Sequence, residues 1–352
     1  MRIALLGDIA LFGDNTVENK TIKEKFASIK AVLTKCDYIV GNLESPLTRC
    51  KHTIGGKSAY LKGAPDNVAI LKYLGVSHVT LANNHMYDYR LQGLKETIKV
   101  LGENGIEWYG INGKSARISS QRNEITLLGY CCYSTNAKGM GVINVLDPAQ
   151  IEQELENNKS ALQIVSLHWG EEHVHFPNYD HIKVSRKLCK DREIIIHGHH
   201  PHVIQGIEEI EKSIVLYSQG NFCFDDVYTK KSADPLISLS EDNQESFVFI
   251  LDIHESQING YEIIPFSFQK GVYEIAPIVK DKILKWSEAL KIKENEYKKK
   301  RHSDLTKYIE GRKSLRNLEW YIKRLNFDSL KMIISARNNK QKYNEIVRRY
   351  IL

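Results

Sequence analysis

The sequence has no apolar run that approaches the roughly 20 residues needed to cross a bilayer. A strand-like pattern begins two residues after Met1, which leaves no room for a charged and then apolar leader peptide. We therefore expect a cytoplasmic protein, or one held peripherally at a membrane by partner proteins.

Several motifs of common enzymes are also missing. The segment from Gly7 to Gly13 lacks the GxGxxG spacing that brings a backbone close to a dinucleotide pyrophosphate. The sequence contains neither a Walker lysine signature nor a nucleophile elbow. These absences argue against a Rossmann cofactor, a P-loop nucleotide site and nucleophilic catalysis by serine or cysteine.

Cysteine is sparse, with six residues in 352, and no pair has CxxC spacing. A zinc ribbon or a disulfide framework is therefore not expected, and we interpret the cysteines as reduced, mostly structural thiols. They are Cys36, Cys50, Cys131, Cys132, Cys189 and Cys223.

The chain is nevertheless long and apolar enough, with 42% hydrophobic residues, to bury a large core. Hydrophobic runs with strand character alternate with helical patterns. The last three expected strands follow one another without helices between them, and they are Ser213 to Tyr217, Ser246 to Ile253 and Tyr261 to Phe268. This order predicts an α/β layered sandwich with helices outside. The expected helices are Thr21 to Leu33, Pro65 to Leu74, Leu91 to Asn104, Pro148 to Asn157 and Tyr179 to Lys190.

Charge separates a main domain, residues 1–275, from a basic helical extension, residues 276–352. From Lys280 onward there are 21 lysine and arginine residues against 9 aspartate and glutamate residues. Apolar residues recur there at helical spacing; they are Ile283, Leu284, Trp286, Leu290, Leu315, Leu318, Tyr321, Ile322 and Leu325. The basic cluster at 298–301 would suit nucleic acid, an anionic polymer or a membrane surface. The favoured alternative is that the extension packs on the main domain or on a second subunit.

The most informative feature is a row of polar residues at the ends of predicted strands. Asp8 follows the first strand, Glu44 the second, Asn84 and His85 the third, and His168 a fourth. A fifth run ends in the segment 197–202, which holds four histidines. Ligands bind outside the carboxyl ends of strands in open α/β sheets, and neutral imidazoles bind divalent metals. We therefore predict a metal site, although a turn cap at Asp8 or a buried core histidine at His168 is the alternative at each position.

Six motifs taken together carry a family resemblance. They are GD at 7–8, GNLESPLT at 41–48, ANNHMYD at 82–88, SLHWGEE at 166–172, GHHPHVIQ at 198–205 and YSQGNF at 217–222. In this combination the sequence resembles the CapA, or PGA_cap, family of bacterial capsule synthesis proteins over about residues 1–270. That family is similar in fold to the calcineurin-like metallophosphoesterases, so the resemblance implies their layered sandwich.

The resemblance also implies roles for individual residues. The metal ligands would be Asp8, Glu44, Asn84, His168, His200 and His202. His85 would protonate the leaving group and Asp88 would orient its ring. The outer shell or substrate contacts would come from Asn42, Glu172, His199 and Asn221. Arg49 and Lys51 could also grip an anionic substrate.

Two positions depart from ordinary phosphoesterases. Ala10 occupies the place of a histidine ligand, and Asn42 the place of a bridging carboxylate, for which Glu44 would substitute. The centre could accordingly hold one or two divalent ions, with Mn, Fe, Zn and Mg all open.

The function implied is that of a metal-dependent hydrolase connected with capsule or poly-γ-glutamate biosynthesis. One alternative is a non-catalytic, metal-stabilised component of a polymer synthesis or export complex, which would bind capsule-synthesis partner proteins. The other is a nucleic-acid phosphodiesterase guided by the basic extension, which is the less favoured of the two.

Overall fold

The computed structural model describes residues 1–55, 57, 59–132, 141–158, 162–228, 235–314 and 327–352. Its strands are β1 Arg2–Ile9, β2 Tyr38–Leu43, β3 His78–Thr80, β4 Glu107–Tyr109, β5 Ala116–Ser119, β6 Glu124–Cys131, β7 Leu162–His168, β8 Ile194–His199, β9 Ile207–Ile210, β10 Ser213–Leu216, β11 Asn221–Cys223, β12 Glu245–His254, β13 Gln257–Gln269 and β14 Val272–Ile275.

The α-helices lie between and after these strands. They are α1 Ile22–Lys25, α2 Ala27–Leu33, α3 Val68–Leu74, α4 Arg90–Glu103, α5 Pro148–Asn157, α6 Tyr179–Cys189, α7 Val279–Ala289, α8 Glu294–Ser314 and α9 Phe327–Ile351. Short 3₁₀ helices cover Pro65–Asn67 and Glu241–Gln244.

The strands form two mixed sheets. The first has the order β14-β13-β12-β1-β2-β3-β4, with β11 also pairing with β1, and the second has the order β5-β6-β7-β8-β10-β9. β1, β2 and β3 run parallel, as do β6, β7 and β8, so their carboxyl ends meet at common edges. The antiparallel strands β12, β13 and β14 complete the outer part of the first sheet.

The alternation of side chains along the central strands builds three apolar layers. Leu5 points into the layer between the two sheets, whereas Leu6 packs under the helices on the outer face of the first sheet. In β8, Ile195 faces the layer between the sheets, and Ile194 and Ile196 pack against the outer helices of the second sheet. The predicted α/β sandwich flanked by helices is therefore confirmed.

Local signals explain where the helices begin and end. Asp147 accepts a hydrogen bond from the backbone N–H of Ala149 and precedes Pro148, and Asn178 caps α6 through the N–H of Asp180. Gly75 ends α3 at φ 86°, a left-handed conformation that favours glycine. All five helical segments expected in the main domain are present, although Thr21 to Leu33 divides into two helices.

Strands were predicted less completely than helices. β4, β5, β6, β9, β11 and β14 are additional to the strands named from the sequence. β6 is the most important of these, because it is a central strand of the second sheet and is buried along seven of its eight residues.

The last two helices of the extension, α8 and α9, pack on the outer face of the second sheet, whereas Val279 and Ile283 of α7 lie in the layer between the sheets. Tyr297 of α8 and Tyr343, Val347 and Tyr350 of α9 are buried in the same apolar layer as α5 and α6. Leu284 is 53% exposed, so it does not belong to the buried stripe expected in α7. Residues 315–326, with the second part of the predicted pattern, lie outside the described residues.

The structure also bears on the predictions about the cysteines and about membrane-spanning segments. All six cysteines are free thiols and five of them are buried, as predicted. In the parts of the chain that the structure describes, every helix is too short or too polar to cross a membrane.

Candidate metal centre

The carboxyl ends of β1, β2, β7 and β8 bring the predicted ligands together. Asp8 pairs in register with Asn42 of β2 and with Asn221 of β11, and His168 at the end of β7 pairs with His199 at the end of β8. The backbone that follows the neighbouring strand β10 passes very close to the end of β8, since a Cβ on Gly198 would lie 2.0 Å from the carbonyl oxygen of Tyr217. Only glycine fits at that position.

Asp8 is fully buried and strongly hydrogen-bonded. Its Oδ1 accepts a hydrogen bond from Nδ2 of Asn42 at 2.8 Å and lies 3.0 Å from Nδ1 of His199. Its Oδ2 accepts the backbone N–H of His200 at 3.1 Å and lies 3.4 Å from Nδ1 of His202. Burial alone would raise the pKa of Asp8, but His199, His202 and Asn42 outweigh it and hold the pKa at about 2. Asp8 is therefore a carboxylate at neutral pH.

Glu44 has the opposite environment. Its side chain is fully buried, and neither carboxylate oxygen accepts a hydrogen bond from any described residue. The Oε1 atom lies 3.6 Å from Nε2 of His202 and 3.8 Å from Nε2 of His168. Burial and the nearby charges of Asp8 and Glu172 raise the pKa of Glu44 well above its usual value. A buried carboxylate without a donor needs a cation or a proton.

Two of the histidines are held in the neutral form. Burial, followed by the charges of the other histidines, lowers the pKa of His168 well below 6.5, and burial lowers the pKa of His200 to about 4. Nε2 of His168 lies 3.0 Å from Oδ1 of Asn84, and Nδ1 of His200 is buried without a hydrogen-bond partner among the described residues. Neutral imidazoles with free nitrogen lone pairs are suitable metal ligands.

The backbone after β8 is strained at two ligand positions. His200 has φ 95° and His202 has φ 58°, values that residues other than glycine rarely adopt. The hydrogen bond from the N–H of His200 to Asp8 fixes the first of these turns. Such strain persists only where the surrounding structure enforces it, and it directs both imidazoles toward Glu44.

The donor atoms form two overlapping groups of the size that a metal ion needs. Glu44, His200 and His202 form one group, and Asp8, Glu44 and His168 form the other, with the ligand atoms of each group within 4.8 Å of one another. Glu44 belongs to both groups and could bridge two ions. The unpartnered oxygens of Glu44 and the neutral imidazoles make this donor set a good fit to a divalent cation.

His85 and Asp88 form a separate unit beside these groups. Nδ1 of His85 lies 2.7 Å from Oδ2 of Asp88, which also accepts the backbone N–H of Leu61 at 2.9 Å. Nζ of Lys57 donates to Oδ1 of Asp88 at 2.6 Å and to the carbonyl oxygen of Asn84 at 2.7 Å. Asp88 thus orients the ring of His85 and is itself held by a lysine.

The predicted outer residues lie around the donor groups. Asn221 contacts the ring of His202, with Oδ1 2.9 Å from Nδ1. Asn42 and His199 both contact Asp8, while the charge of half-buried Glu172 acts on Glu44 and on His200.

Sequence reasoning missed three residues at this site. Lys57 occupies the cationic position for which Arg49 and Lys51 were considered, whereas Arg49 is exposed and pairs with Asp66 at 3.0 Å. Asn83 donates to Oδ1 of Asn42 and accepts the backbone N–H of His85, and Asn243 donates to the carbonyl of His202. The ANNH motif contained the signal for Asn83, but nothing in the sequence indicated Lys57 or Asn243.

Comparison with known proteins identifies the family. The model of the family described as bacterial capsule synthesis protein PGA_cap matches residues 2–226. The chain belongs to the PGA_cap family. The matched residues contain Asp8, Glu44 and all the histidines of the donor groups, whereas the extension lies beyond them.

Two of the similar proteins are named for capsule or PGA biosynthesis. The chain is 28% identical over 272 residues to the PGA biosynthesis protein CapA of Bacillus subtilis, which covers 72% of each chain. It is 27% identical over 270 residues to the capsule biosynthesis protein CapA of Bacillus anthracis, covering 70% of this chain and 62% of the relative.

A solved structure supports the fold of this PGA_cap protein. A hypothetical protein from Thermus thermophilus aligns with 76% of the chain and 100% of its own length, with a TM-score of 0.51 and 12% identity. At that identity the similarity concerns the fold alone.

Proposed function

We propose that the protein is a metal-dependent hydrolase with a phosphoesterase-type centre, and that it acts in capsule or poly-γ-glutamate biosynthesis. The carboxylate of Glu44 carries this proposal, because it is buried between Asp8 and three histidines and no described residue donates a hydrogen bond to it. The names of the two CapA relatives support the biological part of the proposal.

The ligands would be Asp8, Glu44, Asn84, His168, His200 and His202, holding one or two divalent ions of manganese, iron, zinc or magnesium. A divalent cation in this place supplies a bound water of lowered pKa and a positive charge for a substrate oxygen. The side chains around it have the complementary tasks of fixing the ligands and moving protons.

His85 is the residue in position to transfer a proton. Its Nδ1 is engaged by Asp88, so Nε2 is the nitrogen that can take up a proton and deliver it to a leaving group. Asp88 stabilises the imidazolium that forms during this transfer, and Lys57 keeps Asp88 in place from the other side. His199 and Asn42 keep Asp8 ionised and oriented.

The nearly complete burial of the donor side chains favours a second candidate function. The side chains of Asp8 and Glu44 are fully buried and His168 is 1% exposed, which also suits a structural metal in a non-catalytic component of a synthesis or export complex.

The basic cluster of the extension gives little support to a nucleic-acid phosphodiesterase. Lys298, Lys300 and Arg301 are paired with glutamates.

The test is a hydrolysis screen with Mn²⁺ over phosphomonoesters, phosphodiesters and γ-glutamyl amides, together with elemental analysis of the purified protein. We expect bound metal, and turnover that falls by about 10²–10³-fold or more in His200→Ala. The control is His254→Ala, which removes an exposed histidine at the end of β12. Bound metal without turnover on all three substrate classes would favour the non-catalytic component, and a protein that binds no metal would overturn both candidates.

A further inference from the structure

A second polar cavity lies beside the candidate metal centre. It has a volume of about 140 Å³ and is bordered by Asn221 and Asn243 on the side of His202. Oδ1 of Asn221 is 2.9 Å from Nδ1 of His202, and Nδ2 of Asn243 donates to the carbonyl oxygen of His202 at 2.8 Å. The cavity is therefore separated from a predicted ligand by a single layer of side chains.

The opposite wall contains a buried lysine without an anionic partner. Lys25, the last residue of α1, is 4% exposed and lines the cavity. Its Nζ lies 4.7 Å from the ring centroid of Phe268 and 5.7 Å from that of Tyr273, and it makes no hydrogen bond or ion pair with any described residue. Lysine is almost never buried unless it is paired. An aromatic contact compensates only part of the lost hydration, and the charges of Asp225 and Asp14 act on Lys25 without a direct ion pair, so the ammonium group has room for an anion in contact with it.

Among the described residues, the other charged groups that line the cavity are three aspartates. Asp225 accepts the backbone N–H groups of Asp14 and Asp226, at 2.6 and 2.7 Å, and Asp226 accepts the N–H of Leu239 at 2.7 Å. These two carboxylates hold the surrounding loops. The carboxylate of Asp14 is exposed and makes no hydrogen bond to the residues that the structure describes.

The cavity thus combines an unpartnered ammonium group in its wall with an unpartnered carboxylate at its rim. A phosphate dianion would meet three aspartates and one lysine, whereas a ligand with one charge of each sign would meet a complementary group for both. A volume of about 140 Å³ accommodates a small charged group with few waters, since a water molecule occupies roughly 30 Å³ of the liquid.

We propose that this cavity binds an α-amino-acid zwitterion, with its carboxylate at Lys25 and its ammonium group at Asp14. Two sources share this chemistry: a free amino acid, and the amino-terminal residue of a γ-linked peptide, which keeps both charged groups. The binding site goes beyond the proposed hydrolase and does not depend on it, because binding can be measured without turnover.

The test is calorimetric titration of the full-length, metal-containing protein with L-glutamate and D-glutamate. Acetate, methylammonium and inorganic phosphate serve as comparison ligands. We expect saturable binding of at least one glutamate enantiomer, at least about tenfold tighter than acetate or phosphate, and at least tenfold weaker in Lys25→Met. The matched control is Lys23→Met, which removes an exposed lysine from the same helix and should leave binding unchanged.

A second variant keeps the proposal testable if Lys25→Met does not fold. Asp14→Asn changes an exposed side chain, and it should weaken glutamate binding while leaving acetate binding unchanged.

A γ-glutamyl dipeptide distinguishes the two sources of the ligand. If the dipeptide binds and free glutamate does not, the ligand is the end of a γ-linked chain. Absence of binding by all these amino-acid ligands would overturn the proposal. Glutamate binding that survives in Lys25→Met but disappears in His200→Ala would do so too, because it would place the ligand on the metal centre.

Discussion

The candidate metal centre and the contact between the extension and the main domain are both buried and both polar. They differ in whether their polar side chains have hydrogen-bond or ion-pair partners. In the extension contact, which we define by Glu171, His181, Arg301 and Tyr343, each side chain has a polar partner, although Nε of Arg301 makes no hydrogen bond to a described residue. Arg301 pairs with Glu171 at 2.5 Å, and the hydroxyl of Tyr343 lies 2.9 Å from Nε2 of His181. In the metal centre, the oxygens of Glu44 have no partner among the described residues. Paired polar groups stabilise a fold, whereas a buried carboxylate with no donor for either oxygen indicates a missing cation.

The largest expected effect comes from Glu44→Gln, which should weaken metal binding without destabilising the metal-free protein. Glu44→Gln should weaken metal binding by more than the roughly 100-fold that outer-shell partners contribute, because Glu44 belongs to both donor groups. In metal-free protein the same change should not lower the free energy of unfolding, since it removes a buried carboxylate that lacks a donor. Metal titration and urea unfolding in a chelator measure the two effects. Equal metal affinity in both proteins would contradict the assignment.

The extension contact should weaken in acid through His181. Burial lowers the pKa of His181 to about 4 in the folded protein, whereas an unfolded histidine titrates near 6.5. Stability from this residue is therefore present above pH 6.5 and lost as the pH falls toward 4, by about 3 kcal/mol. Urea unfolding at several pH values should show a shallower acid loss for His181→Gln than for the unmodified protein. His254→Gln, at an exposed position, should retain the full acid loss.

Removal of one partner from the ion pair of this contact should be the next largest effect. Among the described cations, Arg301→Ala leaves Glu171 with Lys340 at 4.0 Å, and it should lower the free energy of unfolding by about 2 kcal/mol. The control is Lys298→Ala, one turn earlier in α8, whose pair with Glu294 is exposed and should contribute nothing measurable. An equal response of the two variants would show that burial does not strengthen the Arg301 pair.

The smallest effect should come from Tyr308, where the extension reaches the rim of the metal centre. Its ring stacks on His173 with a centroid distance of 5.1 Å, and His173 lies 6.3 Å from the ring of His202. Tyr308→Ala should cost about 1 kcal/mol of stability, while Tyr308→Phe keeps the stacking and should cost less. Neither variant should alter metal affinity. A loss of metal from Tyr308→Ala alone would instead make the extension part of the centre.

The main-domain helices and the principal ligand-bearing strands were predictable because their signals are local. Helical periodicity with Asp147, Asn178 and Gly75 at the ends defines a helix without its neighbours. The β6 strand was missed because a short apolar run that is buried on both faces has no alternation to distinguish it from a buried helix.

The residues of the candidate site also divide into those that local sequence signals predicted and those that they did not. Polar residues at strand ends were visible in the sequence, and the structure brings the predicted ligands Asp8, Glu44, His168, His200 and His202 together. Lys57 was missed because it comes from a loop 31 residues before Asp88, and only the folded loop brings its ammonium group to that carboxylate.

The sequence by itself determined the main-domain helices, the polar residues at the strand ends, and the motifs by which membership of the PGA_cap family could be predicted. These properties follow from local spacing and residue type, which act over a few neighbouring positions. The tertiary structure decided which polar groups find partners. It gave Asp8 three sources of hydrogen bonds and gave Glu44 none from the part of the chain that is described, and it buried Lys25 in a cavity wall. Hydrogen bonding and desolvation depend on groups that are distant in the chain, so only folding could assign them.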